Sequence, residues 1–437
     1  MKSNKNIKTW KKAKKLIAGG TMLVSKNPEF LLPNLWPTYF SKAKGIKIWD
    51  LNKKVYKDFS SMSVGTNILG YANQEVDDYV IKSLKKSNMS TLNCPEEVKL
   101  AEKILNINPW AQKVRFTRSG GEANACAIRL ARAYTGKSKI LFCGYHGWHD
   151  WYLAANLKSK NNLNNHLISG LDVNGVPKEL RNTSISFLYN DIDKFKKILK
   201  LNKNIGVVKM EVVRDIPPNK NFLETIRKIT KEKNIVLIFD ECTSGFRETN
   251  SGIYKKYGVV PDICIFGKAL GNGYAINAIV GKNKIMNSIN NSFISSTFWT
   301  EKIGYAAGIK TLEIMQKEKS WEKISKLGLY VKKEWDKLFL KYGFKCSISG
   351  ISALPKFNFI NRDNLKYRTF ITQEFLKKKI LATNQIYMST LHDKKQLEEY
   401  FYNLEKILKN LEKISDSGKI DKYLETKVIA QNFQRLN

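Results

Sequence analysis

Short apolar runs recur through the middle of this chain, at residues 139–143, 205–211, 235–240, 263–267 and 278–281. They are of strand length and lack the in-out alternation of a half-exposed strand, so each reads as a strand buried on both faces. Helical patterns at 191–200 and 223–231 separate several of them. Strands alternating with helices imply a mostly parallel sheet with helices on both faces. The fold class is therefore α/β. An Ala-rich helical pattern at 122–134, opened by Ser119-Gly120-Gly121, and a shorter one at 99–105 extend the same layer logic.

The flanks read differently. Residues before about 60 form an irregular arm rich in Pro and aromatics (Pro28, Pro33, Trp36, Pro37, Tyr39, Phe40). The arm closes on a hairpin-like stretch, with 46–49 and 55–59 around turn residues 50–53. Long amphipathic helices are predicted at 304–316 and 321–342. After about residue 345 come a short strand at 353–358, a helix near 369–379 and a last amphipathic helix at 395–409. This predicts an arm plus part of a small domain over 1–60, a large domain over 61–325 and a smaller C-terminal α+β domain over 326–437. A chain of 437 residues, 43% of them hydrophobic, can bury cores of that size.

Composition narrows the function classes. No apolar run reaches the ~20 residues of a membrane span, and the basic stretch Met1 to Lys15 has no apolar segment of signal-peptide length. The expected location is cytoplasmic, with no membrane partner. The six cysteines form no C-x-x-C pair, and the four histidines (His146, His149, His166, His392) complete no ligand set, so no metal is expected. The formal charge of +36 comes from lysines spread along the whole chain. Scattered lysines on solvated faces, scarce arginine and no recognisable binding motif point away from nucleic acid. Such a field still attracts anionic metabolites.

The chemistry sits at strand ends. The run 235–240 ends in Asp240-Glu241, and 28 residues beyond Asp240 the run 263–267 opens into Lys268-Ala269-Leu270-Gly271-Asn272-Gly273. Ligands of open α/β sheets bind at such ends. A partly buried lysine has a lowered pKa and supplies the neutral amine that attacks an aldehyde. Pyridoxal phosphate (PLP) is an aldehyde cofactor that also needs a carboxylate against its ring nitrogen. Asp240 fits that charge-assisted bond, although a strand-end Asp also caps helices. Glu241 reads as a structural partner, with Arg247 as the candidate counter-charge. Ser119-Gly120-Gly121 offers free N–H groups and a positive helix end to phosphate, or a plain N-cap. Gly136-Lys137-Ser138 is no NTP-binding loop, because the glycine required five residues earlier is Ala131. Tyr145, in Gly144-Tyr145-His146-Gly147, stacks on a flat ring or fills core. The stretch from Ser295 to Thr300 offers hydroxyls to phosphate or to capping.

Together these motifs resemble the class III, fold type I PLP-dependent aminotransferases, with glutamate-1-semialdehyde 2,1-aminomutase as the nearest-looking branch. The resemblance runs from about Trp10 to the last helix. It is densest at Arg118 to Ala123, Tyr145-His146-Gly147, Phe239-Asp240-Glu241 with Gly245-Phe246-Arg247, Gly267-Lys268, and Thr297 followed by Gly308 to Glu313. It implies a large domain with a seven-stranded type of sheet. It also implies that Lys268 forms the Schiff base and shuttles the proton, Asp240 holds the ring nitrogen, and Tyr145 stacks on the ring. Cys242 then lies near the opposite face, where the family usually has valine. Ser119, Gly120 and Gly121 belong to the phosphate end. Where this chain has Gly121 the family often has threonine. Thr297 matches a threonine that reaches the phosphate of the other subunit's cofactor, which implies a homodimer with shared sites. Trp36, Ser63, Val64 and Trp299 are candidate pocket walls.

Two departures bear on substrate. After Gly19-Gly20 the aminomutase branch has an arginine, and this chain has Thr21 to Lys26 without one. The stretch Leu381 to Tyr387 is shorter than in that branch and lacks its glutamate. The reading is therefore an aminotransferase moving an amino group from an amine or amino-acid donor to a keto or aldehyde acceptor. The alternative is intramolecular transfer of the aminomutase type, and a remote one is a basic nucleic-acid-binding protein on an enzyme fold. A nicotinamide oxidoreductase fails because no G-x-G-x-x-G follows an early strand.

Overall fold

A computed structural model describes residues 4–166 and 168–431. They fall in two compact units, one of residues up to Asn73 together with Lys323 onward, the other Gln74–Glu322.

The first unit opens with a helix, Lys5–Leu16, where the sequence reads as an irregular arm. Asn4 caps it by accepting the Asn6 N–H, and Trp10 and Ala13, three residues apart, share its buried face. Strands β1 (Phe40–Lys44), β2 (Lys47–Asp50) and β3 (Val55–Phe59) follow as an antiparallel meander. The hairpin expected at 46–59 is β2–β3, and β1 is the strand hidden in the Pro- and aromatic-rich stretch.

The second unit holds β4 (Lys113–Thr117), β5 (Lys139–Cys143), β6 (Ser184–Ser186), β7 (Ile205–Met210), β8 (Val236–Glu241), β9 (Ile263–Phe266) and β10 (Asn277–Gly281). They form one sheet in the order β4-β10-β9-β8-β7-β5-β6. Neighbours from β9 to β6 run parallel, and β10 runs against both β4 and β9. Strands β7 to β10 are buried at every position, which explains why they read as unbroken apolar runs. Strands β4 and β6 lacked that signal: β4 carries Lys113 and Arg115, and β6 is only Ser184–Ser186 at the sheet edge.

The helix Gly120–Thr135 packs on this sheet. Ala123, Ala127 and Ala131 recur every fourth residue, so the backbone approaches Ile140, Phe142, Val207, Ile238 and Ile265 closely. Each fully buried Ile or Phe there contributes about 1.5–3 kcal/mol. Gly136, at φ 64, ends the helix in the left-handed conformation.

The chain then returns to the first unit with β11 (Cys346–Ser349), β12 (Lys356–Phe359) and β13 (Ile380–Ala382). Strand β13 joins β3 in parallel, and β11–β12 is a separate antiparallel pair. The helices Asn364–Lys377 and Lys394–Asp416 meet through Phe375 and Tyr400, whose rings stack at 4.7 Å.

Candidate active site

The carboxyl ends of β7, β8 and β9 bring the chemistry together. Strand β8 presents Asp240, which is 4% exposed. Its Oδ2 lies 2.8 Å from His146 Nδ1 and 3.3 Å from Lys209 Nζ, and its Oδ1 accepts the Cys242 N–H at 3.1 Å. Burial opposes ionisation of this carboxyl. The Lys209 ammonium and the His146 hydrogen bond outweigh it and hold the pKa well below the usual carboxylate range. His146 itself is pushed down to about 4, first by burial and then by the Lys209 charge. It is neutral at pH 7; Nδ1 faces the carboxylate and Nε2 faces the Cys143 carbonyl at 3.0 Å, and we assign its one proton to Nδ1 because the carboxylate is the charged acceptor of the two.

Lys268 begins a short turn after β9 and Gly267. Its φ is 38°, a left-handed conformation that costs a non-glycine residue about 1–3 kcal/mol and clusters at functional sites. A Cβ on Gly267 would lie 2.0 Å from Asn277 Oδ1, so a larger residue there would have to push the Asn277 side chain aside. The amine donates to Thr243 Oγ1 at 2.6 Å. Arg214 donates to the same oxygen at 3.2 Å and pairs with Glu211 at 2.5 Å. Burial, then the Arg214 charge, pushes Lys268 down to about 8. Glu211 Oε2 also accepts the Tyr145 N–H at 3.1 Å, which ties the loop after β5 to the end of β7.

The helix N-terminus closes the constellation. Ser119 accepts the Glu122 N–H at 3.3 Å while Glu122 accepts the Ser119 N–H at 2.7 Å, a capping box. The helix therefore starts two residues before the predicted 122. A Cβ on Gly120 would meet Cys242 Sγ at 3.5 Å, which places the helix start beside the end of β8. A Cβ on Gly121 would lie 2.4 Å from His149 Cε1. His149 stacks on Trp148 at 4.4 Å, and its Nδ1 is buried with no hydrogen-bond partner among the described residues.

Of the residues singled out from sequence, Ser119, Gly120, Gly121, Tyr145, Asp240, Cys242 and Lys268 gather here. Trp299 joins them by donating from Nε1 to Glu122 Oε1 at 3.2 Å. Thr297 stands exposed at the head of the turn Thr297–Thr300. Trp36, Ser63 and Val64 belong to the other unit. Ser63 and Val64 take φ of 55° and 58° within Met62–Gly65, a left-handed pair that is strained for a β-branched valine. Glu241 accepts from Ser244 and from the N–H groups of Ile253 and Tyr254, while Arg247 Nε donates to the Thr243 carbonyl. Lys209, Glu211, Arg214, Thr243 and Asn277 were not singled out from the sequence, and His149 was weighed there only as a metal ligand. A lysine inside the apolar run 205–211 was the one visible signal.

The class-III aminotransferase family model matches residues 33–408. The 3-aminobutyryl-CoA aminotransferase of Cloacimonas acidaminovorans is 31% identical over 401 residues, covering 90% of this chain and 92% of that protein. The glutamate-1-semialdehyde 2,1-aminomutase of Sulfurisphaera tokodaii is 35% identical over 356 residues, covering 80% and 83%. In fold, the chain is similar to the FumI protein of Sphingopyxis sp. MTA144, with a TM-score of 0.84, 22% identity and coverage of 98% and 99%. It is likewise similar to an omega-transaminase from Sphaerobacter thermophilus, with a TM-score of 0.82, 21% identity and coverage of 93% and 98%.

Proposed function

Because the chain belongs to the class-III aminotransferase family, we propose that it binds PLP at the ends of β7 to β9 and moves an amino group between a donor and a carbonyl acceptor. The residues fit the cofactor. They offer an amine at Lys268, a buried carboxylate at Asp240, and the first two amides of a helix at Gly120 and Gly121, beside a His149 Nδ1 that has no hydrogen-bond partner among the described residues. When bound, PLP supplies an aldehyde carbon and an electron-accepting ring.

The protein's part follows from its own groups. Lys268 Nζ, pushed down to about 8, is neutral often enough near pH 7 to attack an aldehyde carbon. With the cofactor bound, the same nitrogen would hold and move the proton taken from the amine-bearing carbon of the substrate. Thr243 and Arg214 hold Nζ within reach. Asp240 would accept a bond from the ring nitrogen and favour its protonated form. Tyr145 and Cys242 would flank the ring. Thr297 completes the phosphate end of the other subunit's site in a homodimer. Donor and acceptor are small amines and carbonyl compounds, no nucleic acid takes part, and the protein works in the cytoplasm. No helix among the described residues is long and apolar enough to cross a membrane.

The carrying observation is that Asp240, near the end of β8, and Lys268, in the turn just after β9, lie at the carboxyl ends of adjacent parallel strands, with Asp240 opposite Ile265. The test is reduction with borohydride. The PLP-loaded protein should carry the cofactor on the peptide containing Lys268, and labelling of another lysine would overturn the assignment. The 35% identity to an aminomutase favours a second reading, transfer within one substrate. Turnover of a single substrate with no donor present would select it.

A further inference from the structure

Lys209 carries a charge into the middle of the sheet. It is 0% exposed and stands on β7 opposite Phe142 of β5 and Ile238 of β8, both apolar and fully buried. A buried ammonium costs several kcal/mol unless it is paired. Its partner is Asp240, 3.3 Å away, the carboxylate already assigned to the ring nitrogen. The other titratable groups around that carboxylate are His146 from the loop after β5, Glu211 after β7, Glu241 and Cys242 beside it in the chain, and Cys264 on β9. His146 is neutral, and Glu211 is offset by Arg214. Lys209 is thus a standing cation on the group that is to hold a second one.

We infer that Lys209 shares Asp240 with the cofactor's ring nitrogen and so limits how far that nitrogen is protonated. The inference rests on the reading of Asp240 given above. Two cations on one carboxylate repel, and a pyridine nitrogen is a weaker base than an alkyl amine, so the ring yields first. Lys209 is a positioning residue in this scheme. It keeps Asp240 ionised and oriented before the cofactor arrives, and it sets the ring's electron demand afterwards.

Nitrogen NMR of protein loaded with PLP isotopically labelled at the ring nitrogen tests this, because protonated and unprotonated pyridine resonate far apart. In the wild-type protein at neutral pH the ring should be only partly protonated. Lys209→Met, which keeps the buried stem, should move the resonance towards the protonated position, and Lys209→Arg should leave it near wild type. Asp240→Asn should move it the opposite way, with or without Lys209→Met. A fully protonated wild-type ring, or an Asp240→Asn response without any Lys209→Met response, overturns the sharing while Asp240 keeps its role. An unmoved resonance in Asp240→Asn removes the reading of Asp240 and the inference with it. Should Lys209→Met fail to fold, the wild-type resonance decides alone.

Discussion

The Lys268 amine donates a 2.6 Å hydrogen bond to the Thr243 hydroxyl, which also receives Arg214 at 3.2 Å. The reacting nitrogen is therefore aimed by Thr243 from β8's outgoing loop, itself held by Arg214 from the segment after β7, and the Lys268 backbone is held at a positive φ of 38°. Such strain persists where surrounding structure over-determines it. Lys268→Ala removes the amine without disturbing the packed strand below it. The variant should bind PLP non-covalently and show no turnover. Full activity in a steady-state assay would end the assignment.

Loss of charge at the ring nitrogen should be nearly as damaging. Asp240→Asn keeps the shape but not the carboxylate that His146 and Lys209 hold ionised. Activity should fall at least ~100-fold, about 2.7 kcal/mol of barrier. A change smaller than about threefold, below 1 kcal/mol, would mean another group does this work.

Apoprotein should capture PLP in a pH-dependent way. Lys268 is pushed down to about 8 by burial and by Arg214, so below that value most of its amine is protonated and inert. The borohydride-trapped capture rate should rise with pH up to about 8 and then level. Between about 8 and the ordinary 10.5 the unfolded chain binds the extra proton, so this group's contribution to apoprotein stability increases with pH across that window. A capture rate flat from pH 6 to 9 would contradict the shifted amine.

The space over Gly121 makes a packing prediction. Threonine there would put Cβ 2.4 Å from His149 Cε1. Gly121→Thr alone should lower the melting temperature through overpacking of ~1–3 kcal/mol and weaken PLP binding. Adding His149→Ala should recover most of the stability, since the clash is with that ring. Equal melting temperatures for the single and double variants would show that His149 moves aside freely.

Assembly is testable through Thr297, which stands exposed at the head of its turn. If its hydroxyl serves the neighbouring subunit, a chain with Lys268→Ala and a chain with Thr297→Glu should rescue each other. A mixed dimer has one site with both the lysine and the threonine intact. Random pairing gives activity near a quarter of wild type, a statistical estimate for a symmetric dimer. Proven mixed dimers without rescue would place Thr297 outside the partner's site.

The sequence by itself determined the five inner strands of the sheet and the two ends of the chemistry. Strands β5 and β7 to β10 are buried on both faces, so hydrophobicity alone marks them, and Asp240 and Lys268 are visible because they break those runs at their ends. Strands β4 and β6, lying at the sheet edges, were not visible, since an edge strand tolerates Lys113, Arg115 and serines without an apolar run. The helix Lys5–Leu16 was hidden for a similar reason: its buried face is little more than Trp10 and Ala13 among lysines. Only the tertiary structure decided what surrounds the two marked residues. Lys209 and Asp240 are 31 residues apart in the chain, Thr243 and Lys268 are 25 apart, and Gly121 and His149 meet across a helix start and a loop. Pairings of that kind carry no local pattern. They arise because parallel strands bring distant chain ends to one edge of the sheet, where a single buried charge changes the environment of every group beside it.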